Sequence, residues 1–452
     1  MITAVKIQNI KFYPGAHAGL SGKTALLTLL FDDFIGEWPV EDGYLRDQAM
    51  HLLPGEPLFA ITGEEWPDAF LVAPVPAFSL ARWIVALTIA FQRWARDPVV
   101  EGRVMSVSDC SIILALPWER EQVFISALQL ALDHLLFWAM PGSNSGIAVR
   151  LAKELDGWLI KVRSGGLSPN SLRFALAASK RRIPVSVSAS TGTLRLGWGI
   201  NALRLDSSFT SATGVLAARI ARNKFQTIPF LQLNGVPVPP GSLVLNREQA
   251  ITSAMQLGWP VVVKPCNQDQ GAGVIPGICD KTTLFRAFDE AFKFSPRGVI
   301  VEKHVKGEDY RMLVVGGKLL ITTRRIPAGV TGDGKSSVAD LVREVNADPL
   351  RGKDKRSMLI RLTLDDEAAR CLRFQSLAAE SLPEAGRFVR LRLTANLSTG
   401  GTAEDVTALV HPDNRMVAER AARLIGLDIA GIDFLCPDIA KSLHEVGDTD
   451  TA

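Results

Sequence analysis

The segment VVVKPCNQDQGAGV, residues 261–274, decides the fold of this 452-residue chain more than any other stretch. It starts as an apolar, β-branched run, which is typical of a buried strand, and the strand ends at Lys264 and a proline. A polar loop with Gly271 and Gly273 follows. Glycines let backbone amides approach phosphate oxygens closely, and a lysine at the strand end neutralises their charge. The segment therefore predicts a strand and a loop that close over the phosphates of a nucleotide.

A second glycine-rich loop, GVTGDGKSS at residues 329–337, raises an alternative. Its first eight residues fit the phosphate-binding pattern G-x-x-x-x-G-K-[ST], and a plausible strand and helix flank it. Pro327, however, ends the preceding strand two residues before the loop, which is unfavourable in a buried parallel strand. No apolar strand ending in Asp lies where a second magnesium-binding segment is expected. Because Gly-Asp-Gly is a strong turn signal, we interpret the loop as a turn that leads into a helix at 337–346.

The composition indicates a globular protein without a bias toward polyanionic partners. The chain is 47% hydrophobic and 21% charged, and its 50 basic and 47 acidic residues give a net charge of +3. This balance gives no reason to expect nucleic acid or an acidic membrane as a partner. The five cysteines lie far apart without a C-x-x-C pair, which is typical of reduced cytosolic thiols, so we expect a cytoplasmic protein.

Two apolar stretches, 83–91 and 123–140, must be distinguished from membrane spans. The first is too short to cross a bilayer, and the second carries Gln129, Asp133 and His134. Both are predicted to be buried helices. The start of the chain lacks the apolar core of a signal peptide.

The order of the elements predicts an α/β (α+β) protein in three parts. Residues 1–160 mix strand-like runs with the two apolar helices and indicate a small α/β domain without a catalytic constellation. Residues 161–222 are predicted to be a linker and a leading segment, with turn signals at RSGGLSPNS and a helix at 171–182. From 223 to 452, strands and helices alternate with glycine-rich connections in the domain that contains the predicted phosphate loop.

Five further motifs accompany this loop. They are, in chain order, IARNKFQ with Lys224, VIVEK with Glu302, GEDYR with Glu308 and Arg311, NLSTGG at 396–401 and GIDF with Asp433. Together with the loop, they resemble the ATP-grasp ligases and, among these, the cyanophycin synthetase family, from about residue 170 to 440. That family has a GDGK turn at this place in its ATP-grasp domain. The resemblance therefore also makes GVTGDGKS a look-alike of a phosphate-binding loop.

The resemblance implies that ATP is the cofactor. The implied contacts are the α- and β-phosphates for Lys224 and Lys264, the closing lid for Gly271 and Gly273, the adenine for Glu302 and the ribose hydroxyls for Glu308. The residues themselves leave an alternative open for each charged group. Lys224 is also compatible with an ordinary surface position on a helix, and Lys264 with an ordinary strand end. The two glutamates are also compatible with solvated charges in loops.

The resemblance also implies which residues act on the transferred phosphoryl group. The predicted catalytic residues are Arg311 and Arg325, which face the γ-phosphate or the substrate carboxylate, and Asn396, which closes on the transferring group. The planar fork of an arginine suits both anions. Arg324 would point to the opposite face of a strand, because side chains alternate. Asp433, at a strand end, is predicted to bind Mg²⁺.

In the family, the ATP-grasp domain adds aspartate to the C-terminal carboxylate of a growing aspartate–arginine polymer. ATP phosphorylates the carboxylate, and the amine then attacks the acyl phosphate. A separate Mur-ligase-like domain adds arginine to the aspartate side chain. The resemblance thus implies aspartate and the polymer as substrates and a homo-oligomer. Because the Mur-ligase-like domain is missing from this sequence, a partner chain is expected for the arginine step.

The sequence departs from the family in three respects. The Mur-ligase-like domain is absent, and the chain stops before the later strand with E-x-N that completes the family's magnesium site, so we expect an ATP-grasp fold that is incomplete at its C-terminal end. Glu445 lies too early to replace that strand. We therefore expect weak Mg²⁺ binding and impaired phosphoryl transfer. The family's H-x-x-E-H zinc motif is also missing, so no zinc and no hydrolase activity are expected, and polymer docking or assembly is the predicted role of residues 1–160.

Three functions are compatible with these observations. The first is an ATP-dependent carboxylate–amine ligase of cyanophycin synthetase type. The second is a catalytically impaired relative that acts as a nucleotide-binding, polymer-binding or partner subunit. The third is an ATP-grasp peptide ligase with another substrate, since a fold does not determine the substrate.

Overall fold

The computed structural model describes residues 5–33, 35, 38, 40–53, 76–140, 145–188, 190–266, 273–352 and 359–445. The chain forms two compact units, Met1–Ser211 and Ala212–Ala452. This division differs from the predicted limits at 160 and 222, because a helix runs across residue 160 and the turn that follows it is held within the first unit. Arg120 donates a hydrogen bond to the Val162 carbonyl of this helix at 2.6 Å. In the turn, the Leu167 amide donates to the Arg96 carbonyl at 3.1 Å.

The first unit contains an antiparallel sheet of order β1-β2-β4-β3 and a second, smaller antiparallel sheet of order β5-β6-β7-β8. Its elements are β1 (Val5–Tyr13), β2 (Thr24–Phe31), α1 (Asp42–Leu52), α2 (Pro76–Trp94), β3 (Arg103–Ser108), β4 (Ser111–Pro117), α3 (Glu121–Ala139), α4 (Ser145–Arg163), α5 (Pro169–Lys180), β5 (Val185–Val187), β6 (Leu194–Leu196), β7 (Leu203–Asp206) and β8 (Phe209–Thr210).

Both apolar stretches of the sequence lie in helices at the centre of this unit. The 83–91 stretch lies in α2 and the 123–140 stretch forms α3, and both helices pack into one core with β2 and β4. Among the described residues, one helix, α3, is long enough and apolar enough to cross a bilayer, judged by length and composition alone. Phe124 and Leu128 of α3 are completely buried in the core. The prediction of two buried helices is confirmed.

The second unit contains two four-stranded antiparallel sheets, here called sheet A (order β11-β10-β12-β9) and sheet B (order β19-β14-β13-β20). The elements that form these sheets and flank them are α6 (Val215–Ala221), α7 (Lys224–Leu233), β9 (Gly241–Val244), α8 (Arg247–Leu257), β10 (Val261–Pro265), β11 (Ile275–Ile278), α9 (Lys281–Phe294), β12 (Val299–Lys303), β13 (Glu308–Val315), β14 (Lys318–Ile326), β19 (Thr402–Asp405), α12 (Pro412–Ile425) and β20 (Ile429–Cys436).

Helices α8 and α9 cover one face of sheet A because each has an apolar stripe at helical spacing. In α9, the buried side chains Leu284, Phe288 and Ala291 recur at intervals of three and four residues. Asp280 caps the start of α9 by accepting a hydrogen bond from the Thr283 amide at 2.9 Å. The core of sheet A therefore lies between this face and the two helices.

In sheet B, a turn at Gly316-Gly317 joins β13 to β14. Both glycines have a positive φ, +58° and +76°, as the tight turns of two-residue hairpins require. This hairpin fixes the register that places Arg311 opposite Thr323 and Asp309 opposite Arg325. On the other side of β13, Arg311 lies opposite Asp433 of β20. Helix α12 packs against β13, β14 and β20 in one apolar core.

A segment with its own core lies between β14 and β19. Its described elements are β15 (Gly329–Thr331), α10 (Val338–Val345), β16 (Arg351–Gly352), β17 (Leu359–Ile360), α11 (Asp366–Phe374) and β18 (Phe388–Arg390). Residues 327–393 are called the insertion below. Strand β15 pairs antiparallel with β18, and β16 pairs in parallel with β17. Val338, Leu341 and Leu372 are among the residues that form its core.

Truncation of Phe124 to alanine tests the core of the first unit. The side chain is completely buried, so Phe124→Ala is expected to lower the free energy of unfolding by about 3–5 kcal/mol. The measurement is guanidinium denaturation followed by tryptophan fluorescence, because every tryptophan except Trp259 precedes residue 212. The control is Ile160→Ala on α4, which is 79% exposed and should change the value by less than about 0.5 kcal/mol. Equal midpoints for both variants would contradict this core assignment.

Candidate functional site

The face of sheet A opposite its helices carries two of the predicted site residues. Val261 and Val263 of β10 point into the core, so Lys264 points to the other face. Glu302 of β12 lies on the same face, because Val301 is in the core and side chains alternate. Lys264 Nζ lies 2.5 Å from Glu302 Oε2. This contact is an ion pair by distance, although the ammonium is poorly aligned with that oxygen for a hydrogen bond.

The surroundings of Glu302 are apolar and tightly packed. Glu302 is only 8% exposed, so the alternative of a solvated loop charge is wrong for this residue. Gly241 of β9 lies opposite Glu302, and a Cβ at this position would come within 2.7 Å of the Glu302 Cβ. Beside the carboxylate is a narrow cavity of about 50 Å³, whose apolar walls come from α7, β9 and β12 and include Ile228, Leu243 and Ile300.

The remaining predicted nucleotide contacts lie at the ends of elements. Lys224 is the exposed first residue of α7, and Glu308 is the exposed first residue of β13. Gly273 has a φ of +74° and packs against Pro265 and Phe294. Gly271 lies outside the described residues.

Sheet B brings three of the predicted residues into one contact network. Arg311 Nη1 donates to Asp433 Oδ1 at 2.8 Å, and Arg325 Nη2 lies 3.0 Å from the same oxygen. All three side chains lie on one face of the sheet because of the register between β13, β14 and β20. The Asp433 side chain is 62% exposed, so the network borders solvent. Both predicted catalytic arginines thus meet at a carboxylate of the chain itself, and their role toward the γ-phosphate or the substrate carboxylate stays a prediction.

Asp309 belongs to the same network and had no role assigned from the sequence. Its Oδ1 lies 3.6 Å from Arg325 Nη1, which is too long for a hydrogen bond. Burial raises the pKa of the Asp309 carboxyl above its ordinary value, and the positive charge of Arg325 opposes this shift only in part. Arg324 points to the other face and pairs with Glu404 at 2.6 Å, as the predicted alternation requires.

Gly431 makes room for this network. A Cβ at this position would lie 2.1 Å from Arg311 Nη2, so the guanidinium lies directly across the glycine. Gly431 precedes Asp433 by two residues and therefore lies on the same face of β20. This spacing in the GIDF motif is the signal by which its role is recognisable in the sequence.

Asn396 lies in a tight turn that leads into β19. Its carbonyl accepts a hydrogen bond from the Gly401 amide at 3.0 Å, and its side-chain amide donates to Thr394 Oγ1 at 3.1 Å. Gly400 has a φ of +98°, and a Cβ at Gly401 would lie 2.7 Å from the Ile326 carbonyl. The glycines are thus required for the turn itself, and β19 pairs with β14, which carries Arg325.

The loop at 329–337 has the geometry of a turn. Asp333 Oδ1 accepts hydrogen bonds from the amides of Lys335 at 2.8 Å and Ser336 at 2.7 Å, so these amides are not directed at a phosphate. Strand β15, which forms the first three residues of this stretch, and β14, which precedes it, both pair antiparallel, whereas a phosphate-binding loop follows a parallel strand. The interpretation as a look-alike is confirmed, and so is the helix that follows, with Ser337 as its N-cap.

The predicted magnesium ligand does not form a complete metal site with its described neighbours. Asp433 Oδ1 is shared by two guanidinium groups, whose positive charge disfavours a cation beside it. Among the residues that the structure describes between 5 and 445, no group of three His, Cys, Asp or Glu side chains is placed to hold a metal. These residues do not fit a magnesium ion without further ligands.

These features define an ATP-grasp domain. Residues 221–339 match the family model described as the RimK-like ATP-grasp domain, a range that contains every predicted site residue except Asn396 and Asp433. The predicted α/β (α+β) fold with an ATP-grasp domain is thereby confirmed.

The similarity extends to particular relatives. The chain is 37% identical over 298 residues to the cyanophycin synthetase of Geminocystis herdmanii, which covers 66% of this chain and 34% of that protein. The chain thus spans about one third of the length of the cyanophycin synthetases that it matches. It is 33% identical over 240 residues to the glutathione biosynthesis bifunctional protein of Mannheimia succiniciproducens, covering 52% of this chain and 32% of that one. The predicted resemblance to cyanophycin synthetases is confirmed.

A solved structure also aligns with much of the chain. It is the bifunctional glutathione synthetase from Pasteurella multocida, with a TM-score of 0.48 and 24% identity, covering 74% of this chain and 48% of that one.

Asp333→Ala tests the assignment of the 329–337 loop as an internally capped turn. Hydrogen bonds from the Ser336 and Lys335 amides lower the pKa of Asp333 to about 2, so its stabilising effect is present above about pH 4 and is lost as the pH falls toward 2. Asp333→Ala is therefore expected to lower the melting temperature at neutral pH and to cost less as the buffer is acidified. The measurement is thermal unfolding over a pH series. Lys335→Ala is the control and should be nearly silent, and a cost for Asp333→Ala that does not change with pH would contradict the assignment.

Proposed function

We propose that this chain is an ATP-dependent carboxylate–amine ligase of cyanophycin synthetase type. The observation that carries the proposal is the network of Arg311, Arg325 and Asp433 in a domain whose sheet A presents Lys264 and Glu302 on its open face. The arginines of this network suit the anions between which a phosphoryl group is transferred. Lys264 and Glu302 suit a nucleotide. The match to the ATP-grasp model and the similarity to cyanophycin synthetases support the same activity.

The nucleotide end of the proposed reaction uses sheet A. Adenine packs at the mouth of the apolar cavity beside Glu302, since the cavity itself is smaller than a base. Lys264 and Lys224 neutralise the phosphates, and Glu308 accepts hydrogen bonds from the ribose hydroxyls. A phosphate competes with Glu302 for the Lys264 ammonium, because the two groups are already an ion pair. ATP-grasp ligases use ATP together with Mg²⁺, which neutralises phosphate charge when bound.

The reaction end uses sheet B. The carboxylate of the acceptor attacks the γ-phosphorus of ATP, the bond to the β–γ bridging oxygen breaks, and ADP leaves. Arg311 and Arg325 hold the carboxylate and the transferring phosphoryl group, with Asn396 beside them, because guanidinium groups neutralise charge on both anions. The amine then attacks the acyl phosphate, the amide bond forms, and inorganic phosphate leaves while the amine loses a proton.

The similarity to cyanophycin synthetases supports the choice of substrates. We assign aspartate as the amine and the C-terminal carboxylate of an aspartate–arginine polymer as the acceptor. Residues 1–160 would dock the polymer or support assembly into a homo-oligomer in the cytoplasm, and a partner chain would perform the arginine step.

A second function is favoured by the state of Asp433. Its carboxylate is shared by two arginines, and among the described residues it belongs to no group of three side chains placed to hold a metal. A chain with this geometry would bind nucleotide and polymer but transfer the phosphoryl group slowly, and it would then act as a partner subunit.

The mass of the product distinguishes the two functions. The chain is incubated with ATP, Mg²⁺, aspartate and a short aspartate–arginine primer, and a primer heavier by one aspartate residue is expected together with ADP. Arg311→Lys keeps the charge but loses the planar fork, so we expect its rate to fall by about tenfold or more. Nucleotide binding without any product in the unaltered chain would favour the partner subunit.

Substitution of two lysines tests the nucleotide site directly. Lys264→Met is expected to weaken ATP binding by about 10- to 100-fold, because a hydrogen bond to a charged group contributes about 1.5–3 kcal/mol. Lys335→Met in the look-alike loop is expected to leave the affinity unchanged. Isothermal titration calorimetry measures both.

A double variant controls for folding in this experiment. Lys264→Met leaves Glu302 buried without a partner, which destabilises the fold by itself. The double variant Lys264→Met with Glu302→Gln removes both charges and should recover the melting temperature without recovering ATP affinity. If the Lys335→Met variant bound ATP more weakly than the Lys264→Met variant, the assignment of the nucleotide site to Lys264 would be contradicted.

A further inference from the structure

A cavity of about 340 Å³, in the size range of sites for small ligands, lies between the insertion and the ends of β14 and β19. Its walls come from α10, from β15 and β18, and from the turn at Gly400. Apolar groups of Val330, Leu341 and Phe388 line part of it, and Glu344 and Arg351 are its charged residues. The predicted site residues are not among those that line this cavity.

Arg351 is a buried cation whose charge is not balanced within the described part of the chain. It is 9% exposed, and its Nη1 donates to the carbonyls of Ile360 at 2.7 Å and Gly400 at 3.2 Å. None of the ion pairs that the described residues form includes Arg351. The described residues give its Nε and Nη2 no hydrogen-bond partner, and Arg351 lines the cavity.

A second arginine of the insertion shows the usual arrangement. Arg392 is 6% exposed, and its Nη1 and Nη2 both donate to the carboxylate of Asp365, at 3.0 and 2.7 Å. Burying a charge is unfavourable unless a partner and hydrogen bonds compensate for it. The same fold thus supplies a carboxylate for one buried arginine and a cavity for the other.

We propose that this cavity binds a free α-amino acid, with its carboxylate on Arg351 and its ammonium group toward Glu344. The guanidinium fork suits a carboxylate, and Nε and Nη2 provide two parallel donors. Glu344 would repel a purely anionic ligand, so a zwitterion fits the lining better than a simple carboxylate. The apolar walls pack against the carbon atoms of the ligand.

The site lies next to the turn that carries Asn396. Arg351 bonds the Gly400 carbonyl, and the Gly401 amide bonds the Asn396 carbonyl. A ligand bound to Arg351 therefore stabilises this turn through the hydrogen bond from Arg351 to the Gly400 carbonyl. The site goes beyond the proposed ligase reaction, because binding here requires neither ATP nor the predicted nucleotide-binding and catalytic residues of sheets A and B.

The test is binding of L-aspartate without nucleotide, measured by calorimetry and by the shift in melting temperature. Because ATP is omitted, failure of the ligase proposal does not affect the result. Aspartate is expected to raise the melting temperature of the unaltered chain, since a ligand that binds the folded state stabilises it. Arg351→Gln should remove this shift, and Arg343→Gln on the exposed side of α10 is the matched control and should keep it.

Two more variants keep the proposal testable if Arg351→Gln folds poorly. Val345→Phe fills the cavity from α10 and leaves Arg351 in place, so it should lower aspartate affinity by about tenfold or more. Glu344→Gln should weaken aspartate binding and leave succinate, which lacks the ammonium group, unchanged or improved. No shift with aspartate in the unaltered chain would overturn the proposal, and so would an equal shift in Arg351→Gln and Val345→Phe.

Discussion

The register of three antiparallel strands is the constraint on which the candidate site depends. β13 pairs with β14 on one side and β20 on the other, and this places Arg311, Arg325, Asp309 and Asp433 together. A shift of one residue in either pairing would turn one partner to the other face of the sheet, where Arg324 pairs with Glu404. The hairpin at Gly316-Gly317 and the shared core with α12 hold this register.

The predicted cations of the two sheets each contact a carboxylate of the chain. Lys264 pairs with the buried Glu302, and Arg311 and Arg325 share Asp433. Such pairs reduce the electrostatic cost of gathering positive charge at one surface. They also mean that a phosphate or a substrate carboxylate must compete with these partners, so the free energy of anion binding is the difference between two ion pairs.

Glycine allows close approaches that these pairs need. Gly241 lets β9 pass against Glu302, and Gly431 leaves the surface of β20 flat beneath the Arg311 guanidinium. Arg351 in the insertion differs from the arginines of sheet B because backbone carbonyls and a cavity surround it. Buried or half-buried cations of the second unit therefore have one of two surroundings. Those of sheets A and B contact a carboxylate of the chain, and Arg351 borders a cavity in which a ligand carboxylate would fit.

The sequence by itself determined the elements and the class of the second unit. An apolar, β-branched run located β10, a strand was predicted before the 329–337 loop where β14 lies, and the motifs around Lys264 and Asp433 indicated the ATP-grasp domain. These features were predictable because each depends on residues close together in the chain. Only the tertiary structure decided that Arg311 and Arg325 meet at one oxygen of Asp433 and that Asp309 joins them. It also decided that Arg351 is buried and forms no ion pair with another described residue. Strand register and burial depend on residues far apart in the sequence, so no local pattern contains them.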